Sequence, residues 1–153
     1  MTNRDRLRDN AGVSSPAIDL SSLRRVLAQL QEAIRFWRGL PADSELKPHL
    51  RSAVIQSFEF TYELSVRMLR RVLIERSAAA DLVADLAFND LLRRAADAGL
   101  IADPQPWRDW REMRNATRHA YDEAKANQVA SSAIRFAEDA AALLGALEAD
   151  LAR

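Results

Sequence analysis

The stretch Met113-Arg114-Asn115-Ala116-Thr117-Arg118-His119-Ala120-Tyr121-Asp122-Glu123 gathers two arginines, an amide, an imidazole and a phenol. Arginine offers a planar fork of donors and a permanent charge to the non-bridging oxygens of a phosphodiester. Histidine, with an ordinary pKa of about 6.5, takes or gives a proton near neutrality. An amide such as Asn115 orients a ring or a ribose hydroxyl. In RNA the 2′-hydroxyl is itself the nucleophile, so a protein needs only a proton shuttle and a stabiliser of the developing negative charge. That chemistry calls for no metal and no cofactor. Arg114, Arg118, His119 and Tyr121 are therefore the candidate phosphate-handling residues.

If this segment is one helix, turning about 100° per residue, Met113, Ala116, Ala120 and Ala124 share a core-facing side. Arg114, Arg118 and Tyr121 then form one outward stripe, and Asn115, His119 and Asp122 a second beside it. A helix ending before Tyr121 would change the direction of that residue. A plainer reading stays open beside the chemical one: solvated surface charge, with Arg118 and Asp122 paired across one helical turn.

The elements that must position these groups are helical. Ala, Leu, Arg, Glu and Asp dominate the 153 residues, with only 4 Gly and 5 Pro. After a polar tail over residues 1–18, Leu20, Leu23, Leu27, Leu30, Ile34 and Trp37 draw a stripe at steps of three and four, ended by Gly39 and Pro41. A longer helix is expected from Asp43 or Ser44 to Arg76, with Pro48 tolerated in its first turns. Its apolar positions, Leu50, Val54, Phe58, Thr61, Ser65, Met68 and Val72 widened by Ile55, Tyr62 and Leu69, imply packing on two sides, including a second copy of the chain as one option. Residues 77–88 read equally as a short helix or a loop. Asp90 to Ala98 is a short helix stopped by Gly99, and Asp103–Pro106 is a linker whose last proline can open the next helix. Trp107, Trp110 and Met113 start that helix, and Asp122 or Asn127 caps a final one carrying Val129, Ile134, Phe136, Ala140, Leu143, Leu144 and Leu147. The sum is an all-α, antiparallel up-and-down four-helix bundle over residues 19–153 with one extra short helix.

Composition narrows the function. Charge is balanced at 22 basic and 22 acidic residues, so contact with nucleic acid must be a local patch, not a basic coat. Cysteine is absent and histidine occurs only at positions 49 and 119, which excludes a thiolate zinc site and disfavours a histidine-rich one. Arg4, Arg6 and Arg8 precede no apolar run of secretory type, and no segment nears the roughly 20 apolar residues of a membrane span. The expectation is a cytoplasmic protein with no membrane partner.

Arg114, four residues, His119, one residue and Tyr121, with Asn115 directly after the arginine, resemble the Arg-x4-His-x-Tyr motif of the HEPN superfamily (higher eukaryotes and prokaryotes nucleotide-binding). Ile55-Gln56-Ser57-Phe58-Glu59-Phe60-Thr61-Tyr62-Glu63-Leu64 is similar to the second-helix signature of its branch of nucleotidyltransferase substrate-binding proteins. Gly99-Leu100-Ile101, the tryptophans, Met113-Arg114-Asn115 and His119-x-Tyr121-Asp122-Glu123 follow in that branch's order, so the likeness spans about residues 20–150. It departs at Arg118, where the branch carries a small serine, and over residues 77–88, which lack a loop rich in Gly and Pro.

The resemblance implies a four-helix bundle that forms a homodimer with the motif helices facing across a cleft. It implies a small minimal nucleotidyltransferase as partner, the two often forming a toxin–antitoxin pair. By the same resemblance Arg114 stabilises the phosphorane charge, His119 is the general acid/base of a metal-independent endoribonuclease, and Asn115 orients. Arg118 and Tyr121 bind RNA or a nucleotide, Tyr121 is a candidate for adenylylation, and Glu59 and Glu63 lend support from the second helix. The alternative is a non-catalytic subunit that presents a nucleotide or other substrate to the nucleotidyltransferase. The plainest option is a helical dimerisation module.

Overall fold

Leu23, Leu27, Leu30, Ala33 and Ile34 are buried along α1 (Ser21–Gly39), and Trp37 packs half-buried against the same core. The three-and-four spacing thus selects the face that the rest of the chain covers. The structure, a computed structural model, describes residues 17–153, so the tail expected over residues 1–18 lies outside the described residues except for its last two positions. Asp19 Oδ1 accepts the Ser21 N–H at 2.9 Å and satisfies one of the first-turn donors of α1. That bond holds the Asp19 carboxyl below its usual range.

The second helix, α2 (Lys47–Arg76), begins later than the expected Asp43 or Ser44. Residues Pro41–Ser44 close a turn through Ser44 N–H to the Pro41 carbonyl (3.0 Å), and Ser44 Oγ accepts the Leu46 N–H at 3.2 Å. Pro48 then falls in the first helical turn, where its missing donor costs nothing. The Lys47 ammonium donates to the carbonyls of Trp37 and Leu40, placing a cation at the negative end of α1.

Both halves of the wide apolar face of α2 are buried, Val54, Phe58, Met68 and Val72 together with Ile55, Tyr62 and Leu69. They are covered within the chain, by α1 and α6 (Glu123–Leu151) on one side and by α3 (Ala80–Ala84), α4 (Phe88–Asp97) and α5 (Pro104–Ala116) on the other. The width of this stripe therefore needs no second copy to explain it. The described residues form an all-α up-and-down bundle with no strand, in which α1, α2, α5 and α6 are the long elements.

The ambiguous segment 77–88 resolves as the single turn α3 between two bends, a second short helix beside the one expected. Arg70 holds it: Nη1 donates to the carbonyls of Val83, Ala84 and Leu86 at 3.1, 3.3 and 2.9 Å. A charged donor shared among three carbonyls makes Arg70→Ala costly, about 1.5 kcal/mol. The expected readout is a lower denaturant midpoint with unchanged m-value.

The short helix α4 ends as its sequence requires. Gly99 adopts φ +75°, Leu100 N–H reaches the Ala95 carbonyl at 2.9 Å, and Gly99 N–H reaches Ala96 at 3.0 Å. This paired closure satisfies the terminal carbonyls and folds Leu100 and Ile101 back into the core. The next helix starts at Pro104, earlier than the expected Pro106, because Asp103 Oδ1 caps the Gln105 N–H at 2.9 Å. Both prolines then sit in the first turn, where N–H groups have no intrahelical acceptor.

Trp107 and Trp110 fix α5 to the bundle. Both are buried against Phe136 of α6, and Trp110 Nε1 donates to Asp139 Oδ2 at 2.8 Å. No helix among the described residues is long and apolar enough to cross a membrane.

Candidate functional site

The helix carrying the motif stops sooner than one continuous projection requires. α5 ends at Ala116, a 3-10 turn covers Thr117–His119, and Ala120–Asp122 form a turn before α6. One hydroxyl and one carboxylate side chain bond the backbone at the break. Thr117 Oγ1 donates to the Arg114 carbonyl at 2.7 Å where α5 passes into the 3-10 turn. Asp122 Oδ1 then accepts the Lys125 N–H at 3.1 Å and caps α6, as one of the two expected caps. The two outward stripes drawn for an unbroken helix therefore do not continue past Ala116. Asp122 is the α6 cap, and among the described residues it forms no ion pair with Arg118.

Arg114 lies at the last turn of α5 and is held from two directions. Nε and Nη2 both donate to Glu63 Oε1 on α2, at 3.1 and 2.7 Å, and Nη1 donates to Thr117 Oγ1 at 3.2 Å. The Glu63 bond raises the Arg114 pKa above its ordinary value; partial burial opposes this and the Glu59 charge adds to it. Glu63 thus joins α2 to Arg114, and the Glu59 charge lies near enough to favour the same cation. Of five guanidinium N–H groups three are engaged, which leaves two on the terminal nitrogens for a ligand. The Arg114–Glu63 pair is partly open to water, with side-chain exposures of 27% and 49%. Such a pair contributes about 0.2–1 kcal/mol, small enough for a phosphate to share or displace the carboxylate.

Asn115, Arg118, His119 and Tyr121 all face solvent, Tyr121 at 87% exposure. The His119 and Tyr121 rings meet edge to face with centroids 6.0 Å apart. Arg114 and His119 share no hydrogen bond, so within the chain the motif is an open polar surface. Two clefts flank its chain segment. One of about 320 Å³ is lined by Met113, Ala116 and Lys125, and another of about 250 Å³ by Trp37, Arg51 and Asn127; Arg114, His119 and Tyr121 line neither. Beneath the surface Tyr62 is buried, and burial raises its pKa against the opposing pull of the Arg111 and Arg114 charges. No group of three or more His, Asp or Glu among the described residues is arranged to hold a metal ion.

Sequence reasoning missed Thr117, which is buried and bonds both the carbonyl and the guanidinium of Arg114. Its signal was available: a threonine three residues beyond an arginine, in a helix, bonds readily to the carbonyl one turn back.

Residues 18–149 match the family model described as nucleotidyltransferase substrate binding protein like. A Haemophilus influenzae protein named probable ribonuclease HepT is 38% identical over 108 residues, covering 71% of this chain and 72% of that protein. A solved Haemophilus influenzae structure, described as revealing the fold of a substrate binding domain of a nucleotidyltransferase, superposes with a TM-score of 0.77 at 32% identity, over 85% of this chain and 99% of the other. A match over so much of both chains makes the conclusion plain: the chain belongs to the nucleotidyltransferase substrate binding protein-like family.

Proposed function

We propose that this chain is a HEPN-type endoribonuclease that cleaves RNA without a metal ion and works as the toxin of a toxin–antitoxin pair with a minimal nucleotidyltransferase. The observation that carries the reading is Arg114, anchored by Glu63 and Thr117 with two N–H groups to spare, on the same short segment as the solvent-facing His119 and Tyr121. Likeness to a protein named a probable ribonuclease supports the same chemistry.

In the proposed reaction the His119 imidazole takes the proton of a 2′-hydroxyl. The new O2′–P bond forms as the P–O5′ bond breaks, and the imidazolium returns the proton to the departing 5′-oxygen. Arg114 neutralises the charge that builds on the phosphoryl oxygens, with Arg118 beside it. Asn115 orients the ribose or the ring. Tyr121, at 87% exposure, is open to adenylylation by the partner. A second copy of the chain set against this open surface would enclose it, as a homodimer.

The second reading, a non-catalytic subunit presenting a nucleotide to the nucleotidyltransferase, is favoured by the fold it shares with a nucleotidyltransferase substrate-binding domain. The two separate in one measurement. Purified protein incubated with RNA in excess EDTA yields fragments ending in 2′,3′-cyclic phosphate if the first holds. Nucleotide binding with intact RNA selects the second.

A further inference from the structure

Three arginines recur at intervals of three along α5: Arg108, Arg111 and Arg114. Residues so spaced on a helix have Cβ atoms about 5–6 Å apart, comparable to neighbouring phosphates along one strand. The structure gives the first two a common setting. Arg108 Nε donates to Asn89 Oδ1 at 3.2 Å and its Nη1 to Gln105 Oε1 at 3.2 Å, both neutral amides. The Arg111 guanidinium lies over the Phe88 ring, 4.8 Å from its centroid. Phe88 and Asn89 are the first residues of α4, whose unsatisfied N–H groups add positive potential beside both side chains.

Neither Arg108 nor Arg111 forms an ion pair with a carboxylate of the described residues. Of the nearby acids, Glu63 holds Arg114 and Asp90 pairs with Arg93 at 3.5 Å, while Asp109 accepts from the neutral Gln105 amide and Glu59, whose charge favours the Arg114 cation, forms no ion pair among the described residues. Glu112 lines the cleft between α5 and α6 with Met113 and Lys125. Arg108 and Arg111, whose direct partners are neutral groups, share the edge of α5 that meets α4, and at about 100° per residue the row winds by about 60° per step to Arg114, a curved path for a polyanion.

We infer that Arg108 and Arg111 form a phosphate track along α5 that holds single-stranded RNA beyond the phosphodiester at Arg114. The substrate is then an extended strand, and a dinucleotide engages only the Arg114 end. The inference rests on the proposed RNA reading.

The test measures binding of 2′-O-methyl oligoadenylates, whose blocked 2′-oxygen prevents cleavage, at several salt concentrations. Expected for Arg108→Gln/Arg111→Gln is a hexanucleotide affinity roughly tenfold weaker at low salt, and a salt slope smaller by about 1.4, near 0.7 for each phosphate no longer neutralised. Dinucleotide binding stays at the parental level. Arg108→Lys/Arg111→Lys keeps both charges and the parental slope, and circular dichroism checks the fold of each variant. Arg25→Gln/Arg35→Gln, with the same change in net charge on α1, leaves the slope unchanged. A parental slope in the Gln pair, or an equal drop in the α1 control, overturns the track while RNA binding itself stands. Failure of the parent protein to bind the hexanucleotide defeats the RNA reading and the track together.

Discussion

His119→Ala is expected to lower the single-turnover rate of RNA cleavage by about 10²–10⁴ while leaving thermal stability at the parental value. The loss follows from chemistry: without the imidazole, neither the 2′-proton nor the 5′-leaving oxygen has a side chain to take or give the proton. The unchanged stability follows from position. His119 is exposed in the 3-10 turn, and its described ring neighbour is the equally exposed Tyr121. Surface substitutions of that kind stay within about 0.5 kcal/mol. Rate and melting temperature measured on one preparation decide the matter: a variant that cleaves at the parental rate removes His119 from the mechanism. Arg114→Ala makes a less clean comparison, because it also releases Glu63 and Thr117 and loosens the tie between α2 and α5.

The difference between these two residues reflects what the sequence makes legible. Periodicity places Leu23, Leu27, Leu30 and Ile34 inside because one buried stripe per helix is a local property of spacing. Gly99 announces the end of α4 because few other residues adopt φ +75° without strain. The end of α5 has no such marker. Arg-Asn-Ala-Thr-Arg-His-Ala contains neither Gly nor Pro, and helix projection runs straight through it. At the break Thr117 turns back on the Arg114 carbonyl and Asp122 caps a new helix, two side-chain bonds that periodicity does not report. Glu63 was legible only as a supporting residue of the second helix. That its Oε1 takes both Nε and Nη2 of Arg114 is a tertiary fact, set by how α5 lies on α2 and invisible to any pattern within one helix. The same holds for the width of the α2 face, which spacing reports as two-sided packing without saying whether the second side belongs to this chain or to another.

One ring on α6 touches aromatic side chains of both α5 and α2, and Phe136→Ala is expected to destabilise the protein by about 3–5 kcal/mol. Phe136 is fully buried on α6 and meets four aromatic rings: Phe58 edge-on at 4.9 Å, Trp110 at 5.8 Å, Trp107 at 6.0 Å and Tyr62 at 6.4 Å. Truncation leaves a cavity bounded by three helices, and these large flat side chains cannot close it without moving their backbones. Part of the loss is the edge-to-face pairing itself, worth about 0.5–1.5 kcal/mol per pair beyond area burial. The expected loss is a large fraction of the roughly 5–15 kcal/mol that holds a domain of this kind together. Phe136→Leu fills much of the space and should cost distinctly less, so a denaturant series on both variants separates cavity formation from loss of an aromatic hub. The consequence reaches the site because Trp107 and Trp110 are the buried anchors of α5. With the Phe136 ring gone, α5 loses its reference against α6, and the alignment that brings Arg114 to Glu63 loosens with it. RNA cleavage should therefore fall in Phe136→Ala even at temperatures where the variant is folded, whereas Arg70→Ala, which loosens only the α3 connection, should keep parental cleavage at the same temperature. Equal cleavage by Phe136→Ala and the parent under folded conditions would show that the aromatic cluster supports the fold without setting the geometry of the site.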